Sequence, residues 1–97
     1  MLVIPATAPL ERLCHISLVC VDRPDLPARV TATCARRGGV VVALAFARGR
    51  PHGRAELEVT VDVGERHRQV LLKRLAGLVD VVEVTCHDRW RSRVPAG

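Results

Sequence analysis

Two halves of the same plan, each a strand-like stretch, a helix-like stretch and a second strand-like stretch, predict an α+β domain of order βαββαβ. Three observations carry that expectation. Residues 54–63 alternate strictly between apolar and polar side chains. Two segments carry apolar residues at helical spacing and end on glycine. At 97 residues there is room for one domain and one core.

The first strand is read over Arg12 to Val21, with Cys14, Ile16, Leu18 and Cys20 on one face. The other face carries Leu13, His15, Ser17, Val19 and Val21 and is only half polar, which suits a central strand. Pro24 then forbids strand pairing, Asp25 is placed to cap a helix, and Pro27 is tolerated in its first turn. A helix from about Leu26 to Arg37 puts Leu26, Val30, Thr33 and Cys34 on one stripe, and Gly38-Gly39 ends it.

Residues 40–48 are apolar almost throughout, so both faces or an edge must be covered, and residues 49–53 form a turn of hairpin length. In the strand that follows, Leu57, Val59, Val61 and Val63 point inward, while Glu56, Glu58, Thr60 and Asp62 point outward. Gly64 precedes a second helix, about Glu65 to Gly77, with the stripe Leu71, Leu72, Leu75 and Leu78. The last strand, residues 81–87, places Val82, Val84 and Cys86 on one face. The whole is the ferredoxin-like plan, a four-stranded antiparallel sheet with two helices on one face. Residues 1–11 read as a loose leader, 12–88 as the domain, and 89–97 as a mobile basic tail.

Composition narrows the function. The aromatics are Phe46 and Trp90, so the core is built from Val, Leu, Ile, Ala and Cys, each large member worth roughly 1.5–3 kcal/mol when buried. The formal charge is +5, yet Lys73 is the one lysine among fifteen basic residues and there is no Asn or Tyr, a composition expected of a high-GC bacterial gene. Basicity favours acidic partners without establishing nucleic-acid binding. The four cysteines, Cys14, Cys20, Cys34 and Cys86, show no C-x-x-C spacing, and no secretory signal or membrane span is read, so a cytoplasmic location with reduced thiols is expected.

Many functions share this plan, and what the chain lacks removes several. An RNA-recognition sheet stacks bases on aromatics, and here Phe46 is isolated while Trp90 lies beyond the sheet. A metallochaperone needs a cysteine pair in the first loop, and residues 22–27 have none. An acylphosphatase-like enzyme pairs an arginine with an asparagine, and there is no Asn. No Ser/His/Asp or Cys/His arrangement and no Gly-rich phosphate loop is present, so no catalytic residue, metal or cofactor is expected.

Four stretches remain informative: I-S-L-V-C-V-D-R-P (16–24), A-R-V (28–30), R-R-G-G-V-V-V-A-L (36–44) and L-A-G-L-V-D-V-V-E-V (75–84). Together they resemble ACT domains, and among them the small regulatory subunits of acetolactate synthase, with the Leu-x-x-Leu-Val-Asp-Val run near the domain's end. The chain is similar to the short, single-domain small subunit of the valine-insensitive isozyme.

That resemblance implies a non-catalytic subunit that binds and activates the acetolactate synthase catalytic subunit, the thiamine-diphosphate enzyme that opens branched-chain amino-acid synthesis. It implies a homodimer paired side by side, with an amino-acid effector at the seam. The effector-loop positions would be Pro24, Asp25 and Leu26, facing Val40 and Val41 of the other subunit; Val42, Leu44 and Phe46 would lie along the dimer edge. Two departures disfavour valine. Asp25 stands where the family has glycine, adding bulk and negative charge, and Val40 stands where the family has asparagine and cannot hydrogen-bond an effector. A stand-alone ACT-domain sensor of a small ligand, regulating another protein, is the alternative.

Several residues admit two readings. Asp25 either repels an effector or simply caps the helix. The apolar second strand is either a dimer seam or core. His15 and His87 would sit together on the outer sheet face, too few for an ordinary metal site. Cys14 would approach Cys86 on the inner face, as reduced packing or as a redox pair. Arg36, Arg37 and the tail's Arg89, Arg91 and Arg93, with Trp90 among them, either dock an acidic partner surface or nucleic acid, or are merely solvated.

Overall fold

The computed structural model describes residues 12–87. The leader expected over residues 1–11 and the basic tail over 89–97, with Trp90 and its neighbouring arginines, lie outside the described residues. The chain runs β1 (Leu13–Val21), α1 (Leu26–Arg36), β2 (Val40–Arg50), a single 3-10 turn (Pro51–Gly53), β3 (Arg54–Asp62), α2 (Glu65–Ala76) and β4 (Val81–His87). The sheet order is β2-β3-β1-β4 with every neighbouring pair antiparallel. This is the ferredoxin-like arrangement that the alternation and the two helical stripes predict.

β1 owes its central place to its composition. Cys14, Ile16, Leu18 and Cys20 alternate inward and are all buried, facing Val61, Val59, Leu57 and Ala55 across the β1–β3 register. The helices close the core from one side. Leu26, Val30, Thr33 and Cys34 of α1 are buried, as are Leu71 and Leu75 of α2, while Leu72 and Leu78 pack partly buried against the same cluster. Burial raises the Cys34 thiol to about 11 and raises that of Cys20, where the nearby Arg29 charge works against it.

The register shifts at three places, once in β4 and twice in β2, the last beside the hairpin between Ala47 and Arg50. In β4 the register steps from Val19↔Glu83 to Cys20↔Val81, leaving Val82 as the extra residue. Val81, Val84 and Cys86 therefore pack against the core, and Val82, expected inward, is 52% exposed. In β2 the register steps from Val41↔Val61 to Ala43↔Thr60, so Val42 is the extra residue there. The hairpin also differs from expectation, since β2 continues to Arg50 before the short turn. His52 and Gly53 take positive φ there and let the chain reverse.

Cys86 sits opposite Ile16, so the sulfur of Cys86 meets that of Cys14 diagonally, at 3.1 Å on the inner face. On the open face His15 pairs directly with His87, and the Thr60 hydroxyl lies 2.9 Å from His15 Nδ1. Among the described residues no three metal-ligating side chains converge.

The exit from α1 depends on two glycines with different duties. Gly38 adopts φ +78°, a left-handed helix end, in open space. Gly39 donates its N–H to the Cys34 carbonyl at 2.9 Å and lies hard against β3. A Cβ at Gly39 would stand 2.8 Å from Val61 Cγ1 and 3.2 Å from the Cys34 carbonyl oxygen. Gly39→Ala is therefore expected to cost about 1–3 kcal/mol through overpacking, read as a lowered melting temperature. Gly38→Ala carries only the backbone cost of about 1 kcal/mol. Equal losses in the two variants would show that the Val61 contact does not set the spacing of α1 and β2.

Candidate functional site: the loop end of the sheet

The ends of β1 and β2, the starts of β3 and β4, and the N-terminus of α1 meet at one end of the domain. Here the β1–α1 loop, residues 22–25, is held from two sides. Towards the hairpin, the Asp22 amide donates to the Gly53 carbonyl at 2.9 Å. The Asp22 carboxylate accepts from Arg48 Nε at 2.7 Å and from the Gly49 amide at 3.1 Å. These donors, Arg48 first, hold the Asp22 carboxyl below its ordinary value of 3.8. Arg48 also lies over the Phe46 ring, 5.8 Å from its centroid.

On the other side the anchor is Asp80. This residue adopts φ +77°, a conformation that aspartate tolerates better than most residues. Its carbonyl accepts from the Val21 amide at 2.7 Å, at the end of β1. Its carboxylate accepts from Arg29 Nη2 at 3.1 Å and lies 3.8 Å from Arg23 Nε. Arg29 Nη1 donates to the Val79 carbonyl at 3.1 Å, so one guanidinium spans α1 and the loop before β4. The Asp in the Leu78-Val79-Asp80-Val81 run thus has a backbone duty and a charge duty together.

Asp25 occupies the N-cap position, but the capping hydrogen bond expected of it is not made. Its backbone is already helical, at φ −90° and ψ −1°, whereas a capping residue is extended. The carboxylate instead runs along the helix to Arg29 Nε at 3.1 Å and stays 63% exposed. Its negative charge is therefore partly compensated. Pro24 and Pro27 carry no N–H, and the Leu26 amide is directed to the Arg23 carbonyl at 3.4 Å. Few backbone donors are left for an anionic ligand group at this turn.

The predicted site residues do not all meet. Pro24 and Asp25 are exposed and Leu26 is buried at the loop end, whereas Val40 and Val41 open β2 at the opposite end of the sheet. One chain cannot bring the two sets together. β2 is an edge strand, with Val40 58% and Leu44 37% exposed and Val42 and Phe46 half-buried. Sequence reasoning missed Arg29, Asp80, Asp22 and Arg48. The only available signal was the clustering of Asp and Arg at the predicted loops.

No protein-family model matches the chain, and no curated protein does. Solved structures do. The acetolactate synthase small subunit from Thermotoga maritima superposes with a TM-score of 0.65 at 24% identity over 77% of this chain. The ACT domain of the GTP pyrophosphokinase of Chlorobium tepidum gives 0.62 at 14% identity over 77% of this chain. The fold is that of an ACT domain. The regulatory subunit of aspartate kinase from Thermus thermophilus follows with 0.59 at 25% identity over 79% of this chain. The chain spans 96% of the isolated ACT domain but only 47% and 51% of the two subunits. No helix among the described residues is long and apolar enough to cross a membrane.

Two outcomes are expected at this end of the ACT fold. Asp80→Asn keeps tolerance of positive φ but loses the ion pairs, while Asp80→Ala loses both. Chemical denaturation should show losses of about 1.5–3 kcal/mol for the alanine variant and less for the asparagine variant. Identical losses would leave the backbone conformation without a share. The carboxyl of Asp22 is lowered on folding, so its stabilisation is full above its ordinary value of 3.8 and is lost as pH falls through the folded value. Asp22→Asn should therefore melt lower than the parent at about pH 7 and converge with it at about pH 2; a gap independent of pH would exclude this linkage.

Proposed function

We propose that this chain is a non-catalytic regulatory subunit that binds and activates the acetolactate synthase catalytic subunit in bacterial branched-chain amino-acid biosynthesis. The reading places it in the cytoplasm, as a homodimer, with residues 12–88 as the working domain and 89–97 as a basic extension. The observation that carries it is the ACT fold joined to an apolar edge strand. Val40 and Leu44 are exposed on β2, and an uncovered apolar edge is a liability that pairing removes. The likeness to an acetolactate synthase small subunit, together with the four sequence stretches, supports this partner.

In this reading Val42, Leu44 and Phe46 lie along the dimer seam, and Pro24, Asp25 and Leu26 of one subunit approach Val40 and Val41 of the other. Valine inhibition is weak or lacking. Val40 offers no polar side chain, the two prolines remove backbone donors, and Asp25 adds bulk, although Arg29 offsets part of its charge. A second reading has its own support. The aspartate kinase regulatory subunit and the pyrophosphokinase ACT domain are similar to the chain to a comparable degree. The chain would then be a stand-alone sensor of a small ligand that regulates another protein.

The test is titration of the chain into the same organism's purified catalytic subunit while acetolactate formation is followed. A saturable rise in rate is expected, with valine changing it by less than about twofold at millimolar concentration, as lost polar contacts worth about 1–3 kcal/mol each imply. No change at micromolar excess of folded protein would remove the synthase and leave the sensor reading.

A further inference from the structure

The helices leave a concave groove between them, lined by residues other than the loop and β2 positions described above. It encloses about 410 Å³ and is lined by Thr33, Arg36 and Arg37 on one side and Lys73, Arg74, Gly77 and Leu78 on the other. Four of its seven lining residues are cations and none is an acid. Five arginines elsewhere have carboxylate partners: Arg12 with Asp62, Arg23 and Arg29 with Asp80, Arg48 with Asp22, and Arg50 with Glu56. None of the four groove cations has an ion-pair partner among the described residues.

Helix polarity explains part of this. Arg36 lies in the last turn of α1 and Lys73 and Arg74 in the last turn of α2, where the macrodipole favours positive charge. It does not explain why both sets face one cavity with no carboxylate between them. Such convergence stores like-charge repulsion, which a bound anion relieves. The volume falls within the usual range for small-ligand sites, about 300–1,000 Å³. No aromatic side chain is present to stack on a ring, and Thr33 already directs its hydroxyl to the Arg29 carbonyl at 2.9 Å. Recognition therefore rests on charge and on guanidinium geometry, which suits phosphate oxygens.

We propose that the groove between α1 and α2 binds a small anion carrying two or more phosphate groups. The charge of such an anion matches four cations, where orthophosphate engages only some of them. The site does not depend on the partner assigned above.

Isothermal titration of inorganic tripolyphosphate into the full-length chain tests it, with orthophosphate as the weak comparator. Saturable binding at one site per chain is expected, with orthophosphate at least about tenfold weaker. The double variant Arg37→Ala/Lys73→Ala should weaken tripolyphosphate about tenfold or more. The control Arg50→Ala/Arg66→Ala, which removes equal charge elsewhere, should change it by less than about twofold. Melting of each variant without ligand verifies that the fold is kept. Equal losses in both variants, the lack of saturation, or tighter binding of a single-stranded oligonucleotide or polyglutamate would each overturn the proposal.

Discussion

Everything in this domain is built out from β1, because it is hydrogen-bonded on both edges and covered by helices on one face. Its inward residues, Cys14, Ile16, Leu18 and Cys20, are all essentially solvent-free. Two of the four are small thiols, and Leu26, Val30, Leu71 and Leu75 complete the layer with no fully buried aromatic among the described residues. A core of such small members tolerates little slack, since each lost methylene leaves a void and each added one a clash. Gly39 marks that limit on the α1 side, where the chain turns into β2 with no room for a methyl group.

The polar organisation follows from the same plan. A central first strand must deliver the chain into α1 beside the point where β4 begins, although these segments are far apart in sequence. Asp80 joins them, with its carbonyl on β1 and its carboxylate on Arg29 of α1. On the other flank Asp22 secures the same loop to the hairpin through Arg48 and Gly49. The loop is thus positioned by two aspartates rather than by a capped helix end. This explains how Asp25 can be spared from capping without the turn losing its place.

Much of this was legible in the residues. The alternation of Leu57, Val59, Val61 and Val63 and the stripes Leu26/Val30/Cys34 and Leu71/Leu75 gave strand and helix identities, because burial on one face leaves a fixed period. The order of elements then left few topologies. The bulges at Val42 and Val82 were not legible: Val42 lies in an apolar run with no polar residue to mark its phase, and at Val82 the Glu83/Thr85 alternation simply extends backward across the residue that the bulge displaces. Nor was Arg29–Asp80, a pair 51 residues apart whose partners could have been solvated charges. Of the effector-loop residues, the loop and β2 positions were identified as positions. Their separation to opposite ends of one chain is a property of antiparallel strands that a linear reading does not display.

The distribution of charge has a consequence for motion as well as for binding. The helix side presents Arg36, Arg37, Lys73 and Arg74, while Glu56, Glu58 and Glu83 stand exposed on the open sheet side. Among the described residues, the helical layer is therefore the more positive side of the domain. In the field of a negatively charged neighbour the domain experiences a torque before contact, turning its helices forward and its sheet away.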